Sequence, residues 1–260
     1  MSDASAPTLD LPAWAGELIS LYHADAASQF ILFGNISDRV VVPVESQPRL
    51  GELQDFLLRV LLPRFDVVLT YDLGNGIRCE KGNEIFSQWP ALKEMPQLPR
   101  APRQAVEALT IFFRYAANLA RLTRKRHQIA CIVKSASLVA PALQGGLNYD
   151  LNALASLVRD WSTDSMLTEH SLATFLLTEN LNDLHPLLVN NTRAARIEIP
   201  LPPQPQLAHA LAIVASDYPT ALKEYAGQTD ALAGELVGGS LSAVENLLKS
   251  SEYRKTPITP

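Results

Sequence analysis

Short apolar runs alternate along the chain with a long amphipathic segment, and this order predicts an α/β fold. Runs rich in β-forming residues predict strands at residues 29–33 (QFILF), 66–71 (DVVLTY) and 128–135 (QIACIVKS). Between the last two, apolar residues recur at helical spacing over residues 104–127, which predicts a helix packed against a sheet. Strands that alternate with helices in this way are typical of a parallel sheet.

The segment from Ser171 to Pro202 has the most detailed pattern in the chain. An apolar run at Leu172–Thr178 predicts a strand buried on both faces, and a polar turn follows it at residues 179–183. A short apolar helix is predicted at residues 184–189. A last strand is predicted at residues 197–201, where two prolines end it.

This order of elements resembles the first-sensor segment and the final core strand of AAA+ ATPases. The features shared are an apolar strand, a Thr, a polar turn, a Leu-x-Pro helix, arginines and the run I-x-I-P-L-P. The resemblance implies a parallel-sheet P-loop-NTPase-like core in which the first strand lies between the last strand and the sensor strand. It also implies a small all-α C-terminal lid, and the helical pattern after Pro205 agrees with this. The expected division is an AAA+-like α/β core at 1–203 (with a disordered tail at 1–12), a helical lid at 204–252 and a linker at 253–260.

The residues that such a domain needs for catalysis are missing. A phosphate loop has the pattern G-x-x-x-x-G-K-[ST], and the chain contains no Gly-Lys pair. After the first strand the chain instead reads GNISDR at residues 34–39, where Asp38 adds a negative charge and the following valines favour a strand. The resemblance implies magnesium-binding acids at the end of the strand, after Val133, and the chain has Lys134, Ser135, Ala136 and Ser137 there instead. We therefore expect a degenerate, Walker-less N-terminal domain of a tandem AAA+ ATPase.

Five residues are candidates for what remains of a nucleotide site. Gly34, Asn35 and Ser37 would contact phosphate if a nucleotide binds at all. The sensor position falls on Glu179 if the alignment follows the Leu-x-Pro helix, and on Asn180 if it is counted from the strand. The sequence leaves this choice open.

Two groups of cations have competing explanations. Arg193 and Arg196 lie where the family can place a trans-acting arginine finger, and they could equally be surface arginines flanking an edge strand. The basic cluster at residues 121–127 could contact an acidic partner or nucleic acid. Our preferred interpretation is that its charges interact with the end of the long helix.

Composition narrows the class of protein further. With 260 residues and 47% hydrophobic side chains, the chain can bury a full core, and its net charge of −5 provides no electrostatic footprint for nucleic acid. It has no apolar run long enough for a membrane span and no signal segment, so we expect a cytoplasmic protein with no membrane partner. The five histidines lack metal-ligand spacing. We expect no cofactor in this chain, whereas ATP and magnesium could serve a downstream catalytic domain.

The expected function is that of a structural, regulatory or partner-recruiting module of an AAA+ ATPase. Its partners would be further copies of itself or a catalytic AAA+ domain, and the polar, proline-bearing tail suggests a shortened chain that such a domain normally follows. On this view the parent protein could be the ATPase while this chain is not. Two alternatives stay open: an ATP-binding AAA+ domain with an atypical phosphate loop, and an α/β domain that binds a small ligand at the carboxyl ends of its strands.

Overall fold

A computed structural model describes residues 11–44, 47–95, 97–143, 148–169 and 172–259. Residues 1–10 of the predicted tail lie outside this part of the chain. The described residues pack into two compact units. The sheet unit combines Leu11–Ile36 with Leu62–Ile199, and the helical unit combines Ser37–Leu61 with Pro200–Pro260.

Among the residues that the structure describes, eight strands form two sheets. Their bounds are β1 (Gln29–Gly34), β2 (Arg39–Val42), β3 (Arg49–Glu52), β4 (Val67–Asp72), β5 (Gly76–Lys81), β6 (Ile129–Val133), β7 (Leu172–Thr178) and β8 (Ala194–Ile199). The larger sheet has six strands in the order β5-β4-β6-β7-β1-β8, and every pairing is parallel except that of β4 with β5.

The strand order confirms the predicted fold class. β1 pairs in parallel with β7 on one side and with β8 on the other, so the first strand lies between the sensor strand and the last strand. β6 and β7 are buried along their whole length, as expected for strands that are covered on both faces. A Gly-containing turn joins β4 to β5 in a hairpin, and β5 is the antiparallel edge strand of the sheet.

The helices are α1 (Ala13–His23), α2 (Leu53–Phe56), α3 (Asn83–Phe86), α4 (Pro102–Thr123), α5 (Ala136–Val139), α6 (Tyr149–Thr163), α7 (Ser165–Thr168), α8 (Pro186–Val189), α9 (Gln204–Val214), α10 (Thr229–Glu235) and α11 (Leu241–Arg254). Short 3-10 turns occur at Pro90–Lys93, Leu181–Asp183, Ala215–Asp217 and Lys223–Tyr225, and one π-helical turn occurs at Leu57–Leu61. Within the described residues, no helix combines the length and apolar character needed to cross a membrane.

Several element ends differ from the predictions. The long helix α4 stops at Thr123 because Arg124 adopts a left-handed conformation with φ of 59°, so the predicted end at 127 is wrong. β8 ends at Ile199, two residues early, because Pro200 has no N–H to donate. Helix α6 was not predicted, although its inner face buries Leu154, Val158 and Trp161.

The helical unit contains more than the C-terminal helices. β2 and β3 form an antiparallel pair, and Val41 and Leu50 from this pair pack against the core formed by α9, α10 and α11. In the same unit, Ile258 packs against this core, and its N–H donates to the carbonyl of Ala221 at 3.0 Å. Tyr253, the first residue of the predicted linker, lies inside α11. The division into core, lid and linker stays a prediction.

Candidate functional site

The carboxyl ends of the parallel strands lie at one edge of the sheet, where ligands bind in open α/β folds. Five strand ends supply this edge: Gly34 ends β1, Asp72 ends β4, Val133 ends β6, Thr178 ends β7 and Ile199 ends β8. The residues that follow β1 and β7 were the predicted phosphate-binding and sensor positions.

The turn after β1 directs its backbone N–H groups at carbonyl oxygens. The N–H of Gly34 donates to the carbonyl of Glu179 at 3.1 Å, and that of Asn35 donates to the carbonyl of Ile199 at 2.8 Å. The N–H of Ile36 donates to the carbonyl of Gly34 at 2.8 Å. A phosphate cradle needs such N–H groups to converge on the ligand. Here three successive groups are already hydrogen-bonded within the sheet unit.

Gly34 is needed for a close approach between backbone segments. Its φ is +95°, in the region that favours glycine, and a Cβ atom at this position would lie 2.7 Å from the carbonyl oxygen of Ile199. The glycine therefore allows the end of β1 to pack against the end of β8.

The carboxylate of Asp38 binds the first turn of the last helix. It accepts hydrogen bonds from the N–H of Leu241 at 2.8 Å and the N–H of Ser242 at 2.7 Å, and it is buried. The Ser240 hydroxyl accepts a third bond, from the N–H of Ala243 at 3.1 Å. A negative charge is favourable at this end of α11, because unpaired N–H groups there carry partial positive charge. Asp38 thus supplies an anion for a helix N-terminus in its own unit.

The sequence correctly indicated that Asp38 brings a negative charge after β1, but it did not indicate where that charge lies. The capping partner is separated from Asp38 by 203 residues along the chain. Local pattern carries no information about a contact of this range. In the sequence, Gly-Gly-Ser at residues 238–240 is a local signal for the start of a helix, but it does not indicate that Asp38 binds there.

The two remaining phosphate-loop candidates fall in different units. Asn35 is half-buried and belongs to the sheet unit, whereas Ser37 is exposed and belongs to the helical unit.

The ion pair between Arg39 and Glu245, at 3.5 Å, is a further link between the start of β2 and α11.

The two sensor candidates have different roles. The Asn180 side chain accepts a hydrogen bond from the N–H of Asn182 at 3.0 Å and so caps the short 3-10 turn that follows. Glu179 contacts the turn after β1 through its backbone carbonyl, which accepts from Gly34. Both residues are exposed. Glu179 therefore joins the end of β7 to the end of β1, and Asn180 shapes the chain beyond β7.

A lysine and a carboxylate lie at the ends of β6 and β4. The N–H of Lys134 donates to the carbonyl of Tyr71 at 2.8 Å. Burial raises the pKa of the Asp72 carboxyl, but hydrogen bonds from Asn75 and the nearby charge of Lys134 outweigh this, so the pKa lies below its ordinary value. Because the Asp72 carboxylate accepts the backbone N–H of Asn75 at 2.7 Å, it holds the β4–β5 turn together.

The arginine-finger candidates lie at the start of the edge strand β8. Arg193 and Arg196 are both exposed, and in the described part of the chain neither guanidinium has a carboxylate within 4 Å. The N–H of Arg193 donates to the side-chain oxygen of Asn191 at 3.0 Å.

Asn191 belongs to a buried polar cluster that sequence reasoning missed. Its side-chain amide donates to the Ser162 hydroxyl at 2.8 Å and to the Gln29 side-chain oxygen at 3.3 Å. Gln29 in turn donates to the carbonyl of Val158 at 2.9 Å. The cluster connects β1, α6 and the residues just before β8. It therefore fixes the position of the backbone at Arg193, directly before the edge strand.

Comparisons with known proteins identify relatives of this architecture. A family profile described as the AAA+ chaperone, N-terminal Rossmann-like domain matches residues 6–200. A chain in the solved structure of the E. coli MS115-1 HORMA:CdnC:Trip13 complex is similar, with 13% sequence identity and a TM-score of 0.49; the match covers 94% of this chain and 82% of that chain. No curated protein matches the sequence.

Proposed function

The chain belongs to the family of N-terminal Rossmann-like domains of AAA+ chaperones, and from this premise we propose that it is a non-hydrolysing module of an AAA+ ATPase. In this role it holds or recruits protein partners, and a catalytic domain elsewhere in the parent protein carries out ATP hydrolysis. The observation that carries the proposal is the turn after β1, where the N–H groups of Gly34, Asn35 and Ile36 are all hydrogen-bonded to backbone carbonyls.

The chemistry of phosphate binding supports this proposal. A phosphate is held by unpaired N–H groups and by a lysine that reaches its terminal oxygens. Binding at the β1 turn would require three internal hydrogen bonds to break, and residues 34–43 contain no lysine to offset their loss. Asp38, which follows the turn in the sequence, uses its carboxylate to accept the N–H groups of Leu241 and Ser242, and a carboxylate offers a phosphate no donor.

The end of β6 supports it as well. Metal-assisted phosphoryl transfer needs a carboxylate that holds magnesium near the terminal phosphates. The chain has Lys134 directly after β6, and Asp72, the carboxylate at the end of the neighbouring strand β4, is bonded to its own turn. A magnesium ion would therefore meet a cation at this strand end.

The same proposal extends to partners and place of action. We place the module in the cytoplasm, associated with copies of itself or with a catalytic AAA+ domain, and with no cofactor of its own. ATP and magnesium would act at the catalytic domain. The exposed arginines at the start of β8 are the candidates for contact with a neighbouring subunit.

The decisive experiment is a calorimetric titration of the whole chain with ATP and magnesium, together with a phosphate-release assay. We expect no heat of binding and no phosphate release above background. Saturable ATP binding that is lost in Asn35→Ala or Ser37→Ala, but kept in the exposed control Ser216→Ala, would overturn the proposal in favour of an atypical phosphate loop. Binding that none of these variants alters would overturn it in favour of a small-ligand site elsewhere.

A further inference from the structure

We propose that a group of exposed cations at the amino-terminal edge of the sheet unit binds a short acidic segment of a partner protein. We call this surface the basic edge; it consists of Arg64, Lys81, Arg121, Arg124, Lys125 and Arg126. The inference rests on the partner-recruiting role proposed above and names a surface and a partner chemistry for it.

Two loops meet at this edge. The N–H groups of Asp66 and Val67 donate to the carbonyl of Gln128 at 2.8 and 3.1 Å, and the Asp66 carboxylate accepts the N–H of Gln128 at 2.8 Å. The same carboxylate lies 3.7 Å from Nδ1 of His127. These contacts hold the loop that carries Arg64 against the loop that follows α4.

The end of β5 adds another cation to the same place. Nζ of Lys81 donates to the carbonyl of Pro63 at 2.6 Å. The next residue, Gly82, has a φ of +79°, and a Cβ atom there would lie 2.1 Å from the carbonyl oxygen of Asp66. The backbone at residues 81–82 is therefore packed directly against the loop that carries Arg64.

The charges of the basic edge are not neutralised within the described structure. Arg121, Arg124, Lys125 and Arg126 are all exposed, and among the described residues none of them has a carboxylate within 4 Å. Two acids on the same segments make other contacts: Asp66 as above, and Glu80 as the acceptor of the Thr70 hydroxyl at 2.8 Å. These six cations lie on a chain whose net charge is −5.

Helix capping does not account for the cluster. Cations favour the last turn of a helix, and of the six residues only Arg121 lies in the last turn of α4. Arg124 has a φ of 59° at a position where Gly or Asn relieves the strain, so an arginine there is unfavourable for the fold. Lys125 and Arg126 come after the helix has ended. Interaction with the end of the long helix thus explains Arg121, and the three cations that follow the last helical residue are open to a further role.

The surface fits an acidic peptide better than nucleic acid. Arginines bind carboxylates through paired hydrogen bonds, and four of the six cations are arginines. Single-stranded nucleic acids need exposed rings for base stacking, and the neighbouring rings of Tyr22 and Phe65 pack on each other at 5.6 Å, with Phe65 buried. A DNA duplex would extend beyond the basic edge over the surface of an acidic protein. Because salt screens the attraction between charges beyond about 10 Å, the cations of the basic edge would not hold these distant phosphates.

The test measures binding of fluorescein-labelled octaglutamate by anisotropy at low and physiological ionic strength. An uncharged Gly-Ser peptide of the same length and a DNA duplex serve as comparison ligands. We expect the triple variant Arg124→Gln/Lys125→Gln/Arg126→Gln to bind octaglutamate about tenfold more weakly than the native chain. The control Lys223→Gln/Arg254→Gln/Lys255→Gln loses three equally exposed charges elsewhere and should bind octaglutamate as the native chain does.

Three outcomes would overturn the inference. The first is that the native chain binds octaglutamate no better than the Gly-Ser peptide, and the second is that the two triple variants lose binding equally. The third is that the duplex binds more tightly than octaglutamate and that its binding is lost in the basic-edge variant. The last result would assign the surface to nucleic acid. Because the ATP titration does not involve these residues, failure of the peptide test is distinguishable from failure of the proposed function.

Discussion

Single residues at and after the end of β1 make contacts within the protein at the place where a phosphate loop would bind its ligand. In a phosphate loop, glycine lets backbone N–H groups reach the ligand. In this chain Gly34 instead lets β1 approach the carbonyl oxygen of Ile199, and Asp38 completes the N-terminus of α11. Both residues therefore serve the packing of the protein, and their replacement should affect stability before any other property.

Replacing Gly34 tests the close approach. Gly34→Ala should lower the free energy of unfolding by about 1–3 kcal/mol, because the added methyl meets a backbone oxygen at a positive φ. A methyl group added at Gly16, in helix α1, would have no atom within 4 Å, so Gly16→Ala should raise the stability by about 0.5–1 kcal/mol. Urea denaturation measures both. Equal effects of the two substitutions would contradict the assignment.

Replacing Asp38 tests the helix cap. Asp38→Ala should lower the free energy of unfolding by about 2 kcal/mol, because the N–H groups of Leu241 and Ser242 lose a charged acceptor. Ser240→Ala removes one neutral cap bond and should cost about 1 kcal/mol. The exposed Asp217 serves as control, and its alanine variant should stay within about 0.5 kcal/mol of the native chain. An unchanged denaturation midpoint for Asp38→Ala would refute the cap.

Glu252 should make stability depend on acidic pH. Hydrogen bonds from the Thr220 side chain, followed by the N–H of Ala221, lower the pKa of the Glu252 carboxyl below its ordinary value of 4.5. A lowered pKa in the folded state adds stability above the unfolded-state pKa, and this is lost as the pH falls through the folded-state pKa.

The measurement is the melting temperature of the native chain and of Glu252→Gln between neutral pH and strong acid. We expect the native chain to be more stable at neutral pH and the difference to shrink once the pH falls below about 4.5. A difference that stays constant over the whole range would show that the ionised carboxylate is not the source.

At the scale of elements, a buried polar cluster connects segments that are far apart in the sequence. Gln29 lies on β1, Ser162 on α6 and Asn191 just before β8, and all three are buried. Buried amides cost free energy unless they are hydrogen-bonded, so the cluster favours only the arrangement in which these three elements meet. It positions α6, the helix that the sequence did not predict.

Asn191 is the residue through which this cluster is best tested. Asn191→Ala should lower the free energy of unfolding by about 2 kcal/mol, because it leaves the Gln29 and Ser162 side chains short of a partner. The neighbouring Asn190 is exposed, and Asn190→Ala should change stability by less than about 0.5 kcal/mol. Thermal and chemical denaturation compare the two, and equal losses would count against the cluster.

At the scale of the whole molecule, the helical unit is built from two parts of the chain that the sheet unit interrupts. Ser37–Leu61 leaves the sheet unit directly after β1, and the chain returns to the helical unit at Pro200, directly after β8. The two crossings follow neighbouring parallel strands, β1 and β8. The start of the edge strand β8 also presents Arg193 and Arg196, which we propose as a contact with another subunit.

Sedimentation velocity over a concentration series tests self-association through this edge. We expect the native chain to associate as its concentration rises and Arg193→Glu/Arg196→Glu to stay monomeric, because the reversed charges repel the partner surface. Lys223→Glu/Arg254→Glu makes the same change of net charge at exposed positions in the helical unit and should associate like the native chain. A native chain that is monomeric at every concentration would refute self-association.

The sequence by itself determined the elements whose cause is local. β7 was predicted with its observed bounds from its apolar run, and all seven of its residues are buried. The strand order was predicted from the resemblance of residues 171–202 to AAA+ ATPases. The absence of a Gly-Lys pair, and with it of the phosphate-loop pattern, was established from the sequence without the structure. The tertiary structure alone decided the contact of Asp38 with α11, the bonding of the N–H groups after β1, and the placement of residues 37–61 in the helical unit. Each of these depends on groups far apart in the chain, whose meeting is set by the packing of the whole fold and leaves no periodic pattern in the sequence.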